Sequence, residues 1–224
     1  MPTEPELTLS EILVLDTETT GLPGSGRKEH VLQVGAVDGT GAVLIDQLYK
    51  PGNLKSWPGA QAIHGISYED VRELPTFIQS SHGRELLAAL VEKARCIAFY
   101  NASFDISMLE NSGFKWNIDK EKVVIDVMKD FAITYGEYSD WHGDYKWQKL
   151  SKAARYYQYE SKEHWHYALG DCMATLHVFL SMYNDEFYKE KINIIDFQAY
   201  QNISNIISAS KYRKIIGACK SPFN

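Results

Sequence analysis

Three apolar segments open the chain, EILVLDTE (11–18), HVLQVGAV (30–37) and AVLIDQLYK (42–50), separated by a stretch holding the glycine-rich LPGSGRKE and by VDGTG. Connections this short join antiparallel neighbours, and Asp38-Gly39 is a hairpin signal, so the three read as successive antiparallel strands. Beyond Lys50 the rhythm changes. RELLAALVEKA has helical spacing, RCIAFY is strand-like, ASFDISMLENSG is a helix stopped by Gly113, and KVVID is a further strand. Alternating units favour parallel pairing, which predicts an α/β fold: a mixed sheet of about five strands, three antiparallel and then parallel, flanked by helices. TYGEYSDWHGDYK (134–146) shows no period and is expected to be an exposed loop. In the helix predicted after it, Trp147, Leu150, Ala154 and Tyr157 form an apolar stripe expected to face the core.

At 224 residues and 45% hydrophobic content, the chain has the material for one sizeable core. The segment MPTEPELTLS lacks the basic start and apolar run of a signal peptide, and no stretch approaches the roughly eighteen apolar residues of a membrane span. The expectation is a cytoplasmic protein with no membrane partner. Three cysteines without metal-ligand spacing, Cys96, Cys172 and Cys219, fit a reducing compartment and argue against zinc. The net charge of -6 argues against a broad electropositive surface that grips nucleic acid by charge alone. A carboxylate site that binds cations escapes this exclusion, because the cations reverse its sign locally. The basic cluster Lys211, Arg213, Lys214 and Lys220 reads as a solvated tail or a polyanion contact.

Chemistry concentrates in three places. On a strand, residues two apart point the same way, so Asp16 and Glu18 set two carboxylates side by side at the strand's C-terminal end. Crowded anions call for a cation or a shared proton, and hard oxygen ligands suit magnesium or manganese. In AFYNASFDISML, Asn101 is a good helix N-cap and Asp105 lies one turn on, facing the same end of the sheet. In HWHYALGDCMATLHVFL, Asp171 falls among apolar residues of a helix. His166, five residues earlier, would point roughly 140° away on a continuous helix, so joint action with Asp171 requires it to precede the helix or to sit in a distorted first turn. Residue types alone leave His164 as a competitor for its place. Asp126, ending KVVID, reads as a helix cap or an outer support of the site.

Taken together, LDTETTGL, NASFD and HYALGD, with AIHGIS between the first two, resemble in order the motifs of the DEDDh (DnaQ-like) 3′–5′ exonucleases, within the ribonuclease H-like fold. The resemblance runs from about Ile12 to Leu180. It implies that Asp16, Glu18, Asp105 and Asp171 bind two divalent metal ions, Mg2+ or Mn2+, about 3.5–4 Å apart. It also selects His166 as general base, a role for which histidine suits neutral pH. By the same alignment Thr19, Thr20, Leu22, Ile63, His64, Asn101 and Phe104 shape a pocket for the terminal nucleotide.

The implied reaction is hydrolysis of phosphodiester bonds from a free 3′ end, releasing nucleoside 5′-monophosphates. The Thr-Thr-Gly motif and compact length resemble proofreading and DNA-repair members, which favours DNA; RNA trimming of the ribonuclease T type is the alternative. A third reading is a proofreading subunit that docks on a polymerase or another replication or repair protein. Residues 1–10 are then an extension, 11–185 the exonuclease domain, and 186–224 a helical segment that completes the domain or binds that partner.

Overall fold

The computed structural model describes residues 6–24, 26, 28–118, 121–141, 143–159, 165–185, 188–189, 191–199 and 201. His164, Cys219 and the basic cluster at 211–220 lie outside the described residues. In chain order the elements are β1 (Glu6–Leu7), β2 (Ile12–Thr19), β3 (Val31–Asp38), β4 (Val43–Leu48), α1 (Pro58–His64), α2 (Tyr68–Val71), α3 (Ser81–Lys93), β5 (Cys96–Phe99) and α4 (Ala102–Asn111). They continue with β6 (Val123–Asp126), α5 (Val127–Tyr135), β7 (Tyr138–Ser139), β8 (Asp144–Tyr145), α6 (Leu150–Tyr156), α7 (Ala168–Asn184) and β9 (Asn193–Ile194).

Five strands form the central sheet in the order β4-β3-β2-β5-β6. The first three pair antiparallel and β5 and β6 add in parallel, as the spacing of the apolar runs predicts. The turn from β3 to β4 is closed by Asp38, whose Oδ1 accepts from the amides of Thr40 and Ala42 at 2.8 and 3.0 Å. Period-two alternation divides the two cores. Ile12, Val14, Cys96 and Ala98 face α5, α6 and α7, whereas Leu13, Leu15, Ile97 and Phe99 face α3 and α4. Cys96 and Cys172 are buried free thiols. Helix α7 is apolar nearly all round, with Cys172, Ala174, Val178, Phe179 and Met182 buried, as expected of a helix laid across a sheet and covered by others.

Two elements differ from the sequence expectation. The 134–146 segment is no irregular loop: β7 and β8 pair as an antiparallel ribbon with Tyr138 opposite Tyr145, their rings edge to face with centroids 5.5 Å apart. Trp147 lies outside the core, because α6 starts only at Leu150 and the extended residues before it turn the indole to solvent. Away from these, β1 and β9 form a two-residue parallel clasp, and the Leu9 amide donates to Asp196 Oδ1 at 2.9 Å. No helix among the described residues is long and apolar enough to cross a membrane.

Candidate active site

Register places the C-terminal ends of β2, β5 and β6 along one edge: Val14 pairs with Ala98 and Phe99 with Asp126. Side chains at the carboxyl ends of parallel strands, and on the helices that come after them, therefore converge here. Asp16 and Glu18 stand on the α7 face of β2, since Asp16 pairs with Gly35, whose missing Cβ would point into the start of α7. Asp105 arrives from the first turn of α4, behind β5, and Asp171 from the first turn of α7. Glu18, Asp105 and Asp171 are buried and Asp16 is partly so.

Their proton affinities record the crowding. Burial first, then the charges of Asp105, Asp171 and Glu18, hold Asp16 well above the ordinary carboxylate range. Burial, then Asp171 and Asp105, pushes Glu18 up to about 8. Burial raises Asp105 to about 7 against the opposing hydrogen bond of Thr17. Asp171 rises to about 6 by burial, held back by the neighbouring His166.

His166 lies ahead of α7 in an irregular stretch, with φ 70°. That break from helical geometry removes the angular conflict with Asp171: one ligand-type atom from each of Glu18, His166 and Asp171 lies within 4.8 Å of the others. Asp171 Oδ1 is buried with no hydrogen-bond partner among the described residues, an arrangement that is costly unless something else contacts it. A hard divalent cation fits this orphaned oxygen and the surrounding carboxylates.

The expected pocket residues fall around the same edge, in different states. Leu22 and Ile63 stand 71% and 60% exposed, while Phe104 is half-buried against the α3–α4 core. The His64 ring bonds the Thr19 carbonyl at 3.0 Å and accepts from the Ile66 amide at 3.0 Å. Thr19 donates its hydroxyl to the Gly21 carbonyl at 2.9 Å, and Thr20 donates to the buried Glu29 at 2.5 Å. Both hydroxyls are thus committed to shaping the turn after β2. Asn101 occupies the N-cap position of α4 but makes no capping bond. Its backbone sits at φ 140°, and its Oδ1 accepts from Ser103 at 3.0 Å. Asp126 caps α5 by accepting from the Lys129 amide at 3.2 Å, and its charge also bears on Asp105.

Supporting residues that no motif marks complete the site. Thr17 points to the opposite face from Asp16 and Glu18 and donates to Asp105 Oδ1 at 2.7 Å, which fixes that carboxylate. Gln33, fully buried in β3, accepts from the Ala168 amide at 3.2 Å and so caps α7 from a distant strand; its Nε2 donates to Asp46 at 2.9 Å. The Tyr167 hydroxyl donates to the same Asp46 at 2.8 Å, anchoring the residue after His166. Gly35 allows the approach itself, because a Cβ there would lie 2.6 Å from the Ala168 carbonyl carbon. A glycine and a glutamine inside the apolar run HVLQVGAV are the only sequence signals of these roles.

Comparison with known proteins bears on the fold and the family. No curated protein matches the chain. Among solved structures, exonuclease X bound to 5′-overhanging duplex DNA superposes with a TM-score of 0.55 at 22% identity, over 78% of this chain and 92% of that one. The zinc-bound E. coli exonuclease I–single-stranded DNA complex gives 0.59 at 18%, over 80% of this chain but only 42% of that one, so the chain spans less than half of exonuclease I. A full-length 3′-exonuclease gives 0.53 at 14%, covering 78% and 82%. At such identities the likeness shows a shared fold, that of ribonuclease H-like exonucleases. The family model described as exonuclease, of ribonuclease T type, matches residues 13–179. The chain belongs to this family, the DEDDh-type 3′–5′ exonucleases.

Proposed function

We propose that the protein is a metal-dependent enzyme that hydrolyses the terminal phosphodiester bond at a free 3′ end and releases nucleoside 5′-monophosphates, with DNA as the preferred substrate. One observation carries this reading: four carboxylates from three separated motifs meet at one sheet edge with raised proton affinities, beside His166 and around a buried oxygen of Asp171 that has no hydrogen-bond partner among the described residues. Asp16, Glu18, Asp105 and Asp171 would hold Mg2+ or Mn2+, two ions in our reading, which supply positive charge to the scissile phosphate and ease the ionisation of water.

The chain's own groups do the rest. His166, exposed beside Glu18 and Asp171, takes the proton of the attacking water in this reading as the new P–O bond forms and the bond to the 3′ oxygen of the preceding nucleotide breaks. Thr17 holds Asp105, while Gln33 and Asp46 hold the start of α7, so both carboxylates keep their positions through the reaction. The exposed Leu22 and Ile63 offer an apolar wedge to an unstacked terminal base, and Phe104 an aromatic edge.

The DNA-bound complexes of exonuclease X and exonuclease I support DNA over RNA as substrate. The test uses 5′-labelled single-stranded DNA and RNA of one sequence, incubated with Mg2+ or Mn2+ and resolved by length. A ladder shortening from the 3′ end, faster for DNA, is expected. No cleavage with either metal, or full cleavage in excess chelator, would refute the reading.

A further inference from the structure

The β7–β8 ribbon has no role in the carboxylate site, yet it stands beside it. Its root is tied to the catalytic edge: the Tyr100 hydroxyl donates to the Gln148 carbonyl at 2.8 Å, and Tyr100 immediately precedes Asn101. Lys129 links the two regions from the other side, with Nζ 3.5 Å from Asp126 and 6.0 Å from the centre of the Trp147 ring. Trp147 is thus two contacts from the carboxylate that flanks Asp105. The ribbon is braced internally by Lys146 on Glu137 at 2.9 Å and by Gln148 Nε2 on the Lys146 carbonyl at 2.8 Å.

From this braced frame three rings stand in solvent: Tyr138 at 52%, Trp147 at 61% and Trp141 at 91% exposure. Single exposed rings are common, but several on one braced frame form the kind of patch that marks a binding site. Between residues 137 and 147 there is no aliphatic side chain, so the exposed apolar surface of this stretch is made of flat ring faces, the kind on which unstacked bases stack. Within this stretch Glu137, Asp140 and Asp144 stand against Lys146 alone, with Lys149 and Lys152 just beyond it, which leaves no positive surplus for gripping phosphates. Aromatic planes without excess positive charge, contiguous with a site that takes a 3′ end, suit bases.

We infer that Trp147, with Trp141 and Tyr138 beyond it, forms a stacking platform for the bases of a single-stranded substrate upstream of the terminal nucleotide. This rests on the exonuclease reading and adds to it a sequence-tolerant binding track for longer strands.

The test compares wild type with Trp147→Ala, Trp141→Ala and Trp147→Phe, measuring kcat and KM on a thymidine dinucleotide and on a longer oligothymidylate. In the alanine variants the kcat/KM ratio of long to short substrate is expected to fall about tenfold each, the order for one lost base–aromatic stack, through KM; phenylalanine restores most of it. An unchanged ratio in both alanine variants overturns the platform and leaves the catalytic reading standing. Should wild type cleave neither substrate, the catalytic reading fails instead. The platform is then judged by quenching of tryptophan fluorescence with the oligothymidylate, expected in wild type and lost in the Trp141→Ala/Trp147→Ala double variant; absence of quenching in wild type overturns it.

Discussion

Replacing Gly35 by alanine tests whether the placement of α7 governs catalysis. The new Cβ would meet the Ala168 carbonyl carbon at 2.6 Å, its oxygen at 2.7 Å and the Leu169 nitrogen at 2.7 Å. Comfortable carbon contacts are about 3.5–4.0 Å, so the start of the helix must retreat by about 1 Å. All three atoms are backbone, so no rotamer change relieves the clash. The retreat lengthens the bond from Ala168 to Gln33 and draws Asp171 away from Asp16 and Glu18. Overpacking of this kind costs about 1–3 kcal/mol, and a misplacement of about 1 Å costs about 100-fold in rate. Gly39→Ala is the control: its Cβ would lie 2.5 Å from the Leu9 carbonyl oxygen, a backbone clash at the opposite end of the sheet. Both variants should lose thermal stability, while only Gly35→Ala should lose kcat on saturating oligonucleotide. Wild-type kcat in Gly35→Ala, or an equal loss in Gly39→Ala, would refute the reasoning.

Further outcomes concern the carboxylates and the histidine. Because the folded-state affinities of Glu18, Asp105 and Asp171 are raised to about 8, about 7 and about 6, the unfolded chain releases these protons first as pH rises from about 4. Metal-free protein should therefore lose stability progressively between about pH 4 and pH 8, and Mg2+ or Mn2+ should raise the melting temperature more at the upper end; a flat profile in chelator would contradict the crowding. Asp16→Asn should abolish turnover yet melt no lower than wild type without metal, since it removes a repelling charge, as calorimetry and an oligonucleotide assay can check together. His166→Ala should lower single-turnover rates by about 100- to 10,000-fold, and His164→Ala should not. A covalently closed single-stranded circle should survive incubation that consumes its linear form; prompt cutting would indicate attack within the strand.

The inner strands β2, β3 and β5 are legible because burial on both faces writes them as short continuous apolar runs, and the short connections among the first three strands favour antiparallel pairing. The carboxylates are legible through motif spacing. What escapes depends on contacts between distant segments. Gln33 and Ala168 are 135 positions apart, so no local pattern announces that a strand side chain caps a helix. Thr17 is hidden by alternation: attention to Asp16 and Glu18 passes over the residue that faces away, which holds Asp105 from beneath. Trp147 misleads because the helical period of α6 continues backwards over residues that the Gln148 bonds hold in extended form.

The clasp between β1 and β9 bears on the order in which the molecule comes together. Leu7 and Leu9 are buried in one cluster with Tyr188, Ile192 and Ile194, and the Leu9–Asp196 bond spans 187 positions. On a ribosome Leu7 emerges before any strand of the central sheet, yet its neighbours arrive only after the whole sheet has been made. Closing so long a loop is entropically among the most expensive contacts in the chain and adds only two residues of pairing. The segment around Leu7 is therefore among the last to settle, joining a cluster that α7 has already begun at the end of the sheet opposite the carboxylates.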